Sequence, residues 1–186
     1  MATMKRTLVM LVEDKPGVLN RVTSMIRRRN FNIDSITVGH SVNPGFSRMV
    51  ISVDGATTAV EQVRKQLDKI IEVVKITDIS EENIISRELA LIKVESTPET
   101  RAEIVRIATD VYRANVVDFT PESIIIEISG DEDKVNSLID LLRGFGVIEL
   151  ARTGRIAITR GKLGPLPKAG EEQVKKQKNR KTKASK

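Results

Sequence analysis

The chain contains no cysteine and no tryptophan, one histidine, one tyrosine and only 3% aromatic residues in 186. Without cysteine there is no disulfide framework, no thiolate zinc site and no cysteine nucleophile, and a reducing compartment suits such a chain. The lone histidine, His40, stands in polar sequence before Asn43-Pro44-Gly45 and reads as an ordinary surface residue. Neither a metal cluster nor a nucleophile–base pair can be assembled around it. The glycines form neither a Walker loop nor a dinucleotide fingerprint. Glu13-Asp14 and Glu81-Glu82 are consecutive, so in an extended chain their carboxylates point to opposite sides. No catalytic residue and no metal ligand is expected. No apolar run approaches the ~18 residues that cross a bilayer, and the first residues lack the apolar stretch of a signal peptide. The expectation is a cytoplasmic chain without membrane contact.

What is present is aliphatic: 40% of the residues are hydrophobic, enough for a core, and the length allows one domain or two small ones. The net charge of +6 resembles a nucleic-acid signal until it is located. From Pro165 on, eight lysines and arginines stand against two glutamates, and in the rest of the chain the two signs cancel. Residues 165–186 therefore read as a disordered, Lys-rich tail that buries nothing apolar, behind a neutral body.

Along the body one pattern occurs twice. Residues 7–12 read as a buried strand, and Val18, Leu19, Val22, Met25 and Ile26 fall on one helical face that ends in Arg27-Arg28-Arg29. Those arginines complement the negative end of the helix dipole and need no ligand. Two strands at 32–38 and 46–53 flank the turn signal Asn43-Pro44-Gly45. A helix carrying Ala59, Val60, Val63, Leu67 and Ile70 follows, then a strand at 73–79. After Glu81-Glu82-Asn83 the order recurs: a strand at 89–94, a helix opened by Thr97-Pro98-Glu99 with Ile104, Val105, Ala108, Val111 and Tyr112 on one face, strands at 116–119 and 123–128, a helix with Val135, Leu138, Ile139 and Leu142, and a strand at 147–151. Residues 156–159 are a possible addition. The fold class is α+β: two ferredoxin-like βαββαβ units in tandem, each an antiparallel sheet with both helices on one face. The expected boundaries are 4–80, 84–162 and the tail at 165–186.

The open sheet face separates two functions served by this topology. An RNA-recognition module stacks bases on aromatic residues of its central strands, yet residues 7–12 contain none and the third strand offers only Phe46. Specific nucleic-acid binding by the body is not expected. Apolar residues on that face suggest sheet-edge or sheet-face pairing with another copy instead.

The densest local signal is Glu13-Asp14-Lys15-Pro16-Gly17-Val18-Leu19. Pro16 suits a first helical turn, Asp14 or Lys15 is left to cap it, and Gly17 has no Cβ to keep a ligand off the backbone. Free N–H groups at the positive end of a helix suit a carboxylate, although an ordinary strand-to-helix turn has the same residues.

These residues, with Arg21-Val22, resemble the ligand turn of ACT domains. The stretch Arg29-Asn30-Phe31-Asn32-Ile33-Asp34-Ser35-Ile36-Thr37-Val38, followed by Ser47-Arg48-Met49, resembles the small, regulatory subunit of acetohydroxyacid (acetolactate) synthase. The likeness continues through residues 62–75, 87–94, 117–123 and 149–154. It implies a non-catalytic partner of a large catalytic subunit, which would itself carry thiamine diphosphate, Mg2+ and FAD, in branched-chain amino-acid synthesis. It further implies activation of that enzyme, feedback inhibition by valine or a related amino acid, and a homodimer with the effector where two ACT units meet. The matching effector-binding positions are Asp14, Gly17, Val18 and Leu19 at the turn, and Asn32 with Ile33 at a strand start. No cofactor is expected on this chain. A free-standing ACT-type amino-acid sensor acting on another enzyme is the alternative.

Overall fold

The computed structural model describes residues 5–55, 57–162 and 164–166, without side chains at 57–59. The first six elements are β1 (Lys5–Glu13), α1 (Val18–Arg28), β2 (Ile33–His40), β3 (Phe46–Asp54), α2 (Thr57–Leu67) and β4 (Val73–Asp78). They form an antiparallel sheet in the order β2-β3-β1-β4. The order then repeats with β5 (Ile84–Glu95), α3 (Arg101–Arg106), β6 (Asn115–Phe119), β7 (Ser123–Gly130), α4 (Glu132–Leu142) and β8 (Val147–Arg152), in a sheet ordered β6-β7-β5-β8. A ninth strand, β9 (Ile156–Thr159), pairs with β5. Two tandem βαββαβ units are thus present, as the periodicity predicts.

The two central strands differ as their sequences do. In β1 the apolar run is continuous, and all eight residues after Lys5 are buried. Such a run belongs to a strand covered on both faces. Leu8, Met10 and Val12 join Val18, Val22 and Ile26 of α1 and Val60 and Val63 of α2 in one core. Val9 faces the other way, with Val50, Ile79 and Ala157, and with Ile84 and Leu166 partly buried against them. In β5, Ala90, Ile92 and Val94 are buried among α3 and α4 residues while Leu89 and Leu91 stay exposed, the alternation of a strand with one open face.

The cover over Val9 and Val50 departs from the sequence reading. By their contacts the described residues up to 85 group with those from 157 to 166, and residues 86–156 form the other unit. Arg48 donates to the Ala157 carbonyl (2.7 Å) and the Thr77 hydroxyl to the Pro165 carbonyl (2.9 Å). Burial pushes the Arg48 guanidinium below its ordinary pKa. Pro165 and Leu166, expected in a tail that buries nothing, are partly buried, Leu166 against this cluster. The open face of the first sheet is covered by its own chain, so it needs no second copy for that purpose. The expected disorder of 167–186 lies outside the described residues, as does the side chain of Ala59.

Helix α3 also differs from its pattern. It passes into a π-helical turn, Ile107–Val111, in which Tyr112 N–H donates to Ile107 O (3.2 Å). The extra residue per turn rotates the following face. Ala108 and Ala114 are buried, whereas Val111, expected inside, is 66% exposed.

Residues 157–166 should contribute stability through burial of Val9, Val50 and Ile79. Ending the chain after residue 166 should leave the urea midpoint of the first unit unchanged, while ending it after residue 156 should cost on the order of 2 to 4 kcal/mol. Equal midpoints for the two truncations would show that the segment adds no stability.

Candidate functional site

Strand β1 ends in a turn fastened by backbone hydrogen bonds to two neighbouring segments. Glu13 N–H donates to Glu72 O (2.9 Å) and Asp14 N–H to Gly45 O (3.0 Å), so the chain is clamped by segments preceding β4 and β3. Residues 15–18 then close a turn, with Val18 N–H to Lys15 O at 3.4 Å. Gly17 sits at φ 85 and ψ −9, the values of the third residue of a type II turn, with proline before it as that turn favours. Gly17 is the N-cap of α1, and no side chain caps the helix. The expected arrangement, with Pro16 in the first turn behind an Asp14 or Lys15 cap, is therefore not formed. A left-handed glycine supplies the change of direction instead.

This start leaves the helix unneutralised. The first turn of α1 holds no acidic residue, and the carbonyls four residues before Leu19 and Asn20 belong to Lys15 and Pro16, outside the helix. A Cβ built on Gly17 would meet nothing within 4 Å, so the space beside the turn is open. Val18 is anchored in the core, while Leu19, expected on the buried face, is 46% exposed beside the turn. Glu13, the last residue of β1, and Asp14 just beyond it have different surroundings. Glu13 is buried and pairs with Lys15 (2.7 Å), whereas Asp14 is half exposed and lies 3.3 Å from His40 Nδ1. His40, read from sequence as an ordinary surface residue, thus touches the turn. The signal was the hairpin around Asn43-Pro44-Gly45: pairing of His40 with Ser47, and of Glu13 with Phe46, puts the ends of β2 and β1 beside one β3 start.

Asp14, Gly17, Val18 and Leu19 therefore come together, and Asn32 and Ile33 do not join them within one chain. Helix α1, 11 residues long and so about 16 Å, separates the turn from the start of β2. Asn32 is exposed there and Ile33 packs partly buried against the core.

The corresponding turn of the second unit is filled by its own side chains. Thr97 and Thr100 exchange amide-to-hydroxyl hydrogen bonds (3.1 and 3.3 Å). Arg101 reaches Ser96 Oγ (3.3 Å) and Pro121 O (2.7 Å) and lies 4.9 Å from the centre of the Phe119 ring. The Thr97 hydroxyl holds the exposed Glu99 carboxyl below its usual range. Of these two turns, the first is the one that presents bare amides to an open space. Among the described residues no group of three His, Cys, Asp or Glu could hold a metal, and no helix is long and apolar enough to cross a membrane. The first turn is suited to binding a small zwitterion: amides for a carboxylate, Asp14 for an ammonium, Leu19 for an aliphatic tail.

Residues 8–75 match the family model described as the AHAS small subunit-like ACT domain, and residues 87–161 match the small subunit of acetolactate synthase. A probable acetolactate synthase small subunit of Archaeoglobus fulgidus is 52% identical over 158 residues, covering 85% of this chain and 98% of that one. The acetolactate synthase small subunit of Bacillus subtilis is 48% identical over 160 residues, covering 85% and 92%. The crystal structure of the acetolactate synthase small subunit from Thermotoga maritima superposes with a TM-score of 0.78 at 43% identity, covering 86% of this chain and 99% of that one.

The left-handed Gly17 generates a prediction independent of any ligand. Gly17→Ala should fold, since its Cβ meets nothing, and should cost about 1 to 2 kcal/mol for the left-handed backbone. Denaturant unfolding checks this, and an unchanged midpoint would mean that the turn relaxes to another conformation.

Proposed function

Because the chain belongs to the family of acetolactate synthase small subunits, we propose that it is the regulatory subunit of that enzyme: it activates the large catalytic subunit and makes it sensitive to valine or a related branched-chain amino acid. The chain itself carries no catalytic group and binds no cofactor; thiamine diphosphate, Mg2+ and FAD belong to the large subunit, in the cytoplasm. The observation that carries the reading is the open glycine turn at the start of α1, inside the stretch that matches the ACT model. The effector carboxylate is bound by first-turn amides, its ammonium by Asp14 and its side chain against Leu19. A dissociation constant of ~0.1 to 1 mM, suited to a metabolite, asks only about −4 to −5.5 kcal/mol of such contacts.

The effector site is completed by a second copy. Strand β2 is an edge of its sheet, and twofold antiparallel pairing of two such edges sets the start of one β2 against the end of the other. Asn32 and Ile33 of the partner subunit then lie at the His40 end of this one, next to Asp14. This arrangement reconciles the six expected effector residues with their separation in a single chain, because each site takes four from one copy and two from the other.

Reconstitution with the large subunit tests the proposal. The chain alone should form no acetolactate from pyruvate, should raise the large subunit's rate severalfold, and should make it respond to valine. Asn32→Ala, which removes a hydrogen bond to a charged group, should weaken valine inhibition roughly 10- to 150-fold while activation survives. Acetolactate formed by the chain alone, or valine inhibition untouched by Asn32→Ala in folded dimers, would contradict the reading.

A further inference from the structure

Beside the turn, a groove of 440 Å³ runs between α1 and the segment that enters β4. Met25, Ile70 and Ile71 give it an apolar floor, with Ile71 63% exposed. Arg21, Arg28 and Lys69 line it together with a single acid, Glu72, so the lining carries a net charge of +2. Arg28 belongs to the arginine run that closes α1, whose dipole role does not require it to face a groove.

We propose that this groove is where the large catalytic subunit docks, through an acidic segment that carries an exposed aliphatic or aromatic side chain. The inference rests on the regulatory-subunit reading and adds the surface through which that regulation passes. Charge complementarity selects the occupant. An acidic segment would meet the predominantly basic lining while its apolar side chain covers Ile71. The chain's own residues 165–186 are strongly basic and would be repelled. A nucleic acid would gain nothing from the aliphatic floor and would find no aromatic residue in the lining to stack on. A second copy paired through β2 occupies the opposite edge of the sheet from β4, and the segment that enters β4 lines this groove.

The groove is also continuous with the effector turn. Its wall begins at Asn20 and Arg21, directly after Leu19, and Arg21 pairs with Glu72, whose carbonyl holds the Glu13 amide. A ligand that recruits the amides of Leu19 and Asn20 therefore acts on the residues forming the groove wall. This continuity gives effector and catalytic subunit a shared element through which each alters the affinity of the other.

Two variants of the full chain test the proposal: Arg28→Glu with Lys69→Glu, and separately Ile71→Asp. Each is measured for affinity to the large subunit, for activation of acetolactate formation and, by calorimetry, for valine binding. Both should bind valine like the wild type and weaken the complex roughly tenfold or more, and the double variant should also flatten the salt dependence of association. Complexes and activation equal to wild type in both variants would overturn the docking site. So would loss of heparin binding by the double variant with the enzyme complex intact, which would assign the groove to polyanions. If the wild-type chain neither binds nor activates the large subunit, the regulatory-subunit reading itself fails, and that result is separate from the behaviour of the variants.

Discussion

The way β1 ends governs the rest of the first unit. Because β1 lies between β3 and β4, the segments entering both neighbours pass beside its last residues. Their carbonyls, at Gly45 and Glu72, accept from the amides of Asp14 and Glu13. The sheet therefore fixes the exit direction of the chain, and the left-handed Gly17 makes the remaining change of direction within two residues. No side chain takes part in the cap, so the first helical turn keeps its donors and its positive potential. A serine or aspartate cap would stabilise α1 but would occupy the amides that a ligand needs.

The two units share a topology and divide at the points where chemistry is decided. In the first, the sheet is covered on both faces and the turn before its first helix is open. In the second, one sheet face keeps Leu89 and Leu91 exposed, and the turn is filled by Thr97, Thr100 and Arg101. A network joins Arg152 and Arg155 to Glu88, with Arg152 also donating to Asn136 (2.8 Å) and Arg155 pairing with Glu132. It braces the end of β8 in the second unit. Each of these differences is a difference of sequence: a continuous apolar run against an alternating one, and a Pro-Gly turn against a Thr-Pro-Glu-Thr turn.

Much of this was legible from residue order. Period-two and period-3.6 patterns locate the strands and helices because a sheet face or a helix face must be buried along its whole length, and the duplication follows from repeating that reading. Four of the six positions expected to bind an effector sit together because they are nearly consecutive. The other two do not meet them within a chain, since a helix intervenes, and the proposed site takes them from a second copy. What escaped the sequence was nonlocal. The π-helical turn that turns Val111 outward closes through carbonyls at Ile107 and Thr109, five and four residues back, which no apolar count reveals. The packing of Leu166 on Val9 joins residues more than one unit apart in sequence. His40 became part of the site only through strand register. Gly17 was singled out, but as a residue inside the first turn, because proline suits both that position and the second residue of a type II turn.

Amide chemical shifts of the 15N-labelled full chain, followed as valine is added, test most directly whether the bare turn receives the effector. The largest changes should fall on Gly17, Val18, Leu19 and Asn20, with a second group at Asn32 and Ile33 from the pairing of two copies, and residues 96–101 should stay unmoved. Shifts concentrated in 96–101, or spread over the second unit with Gly17 to Asn20 unaffected, would contradict the assignment of the effector to the turn that ends β1.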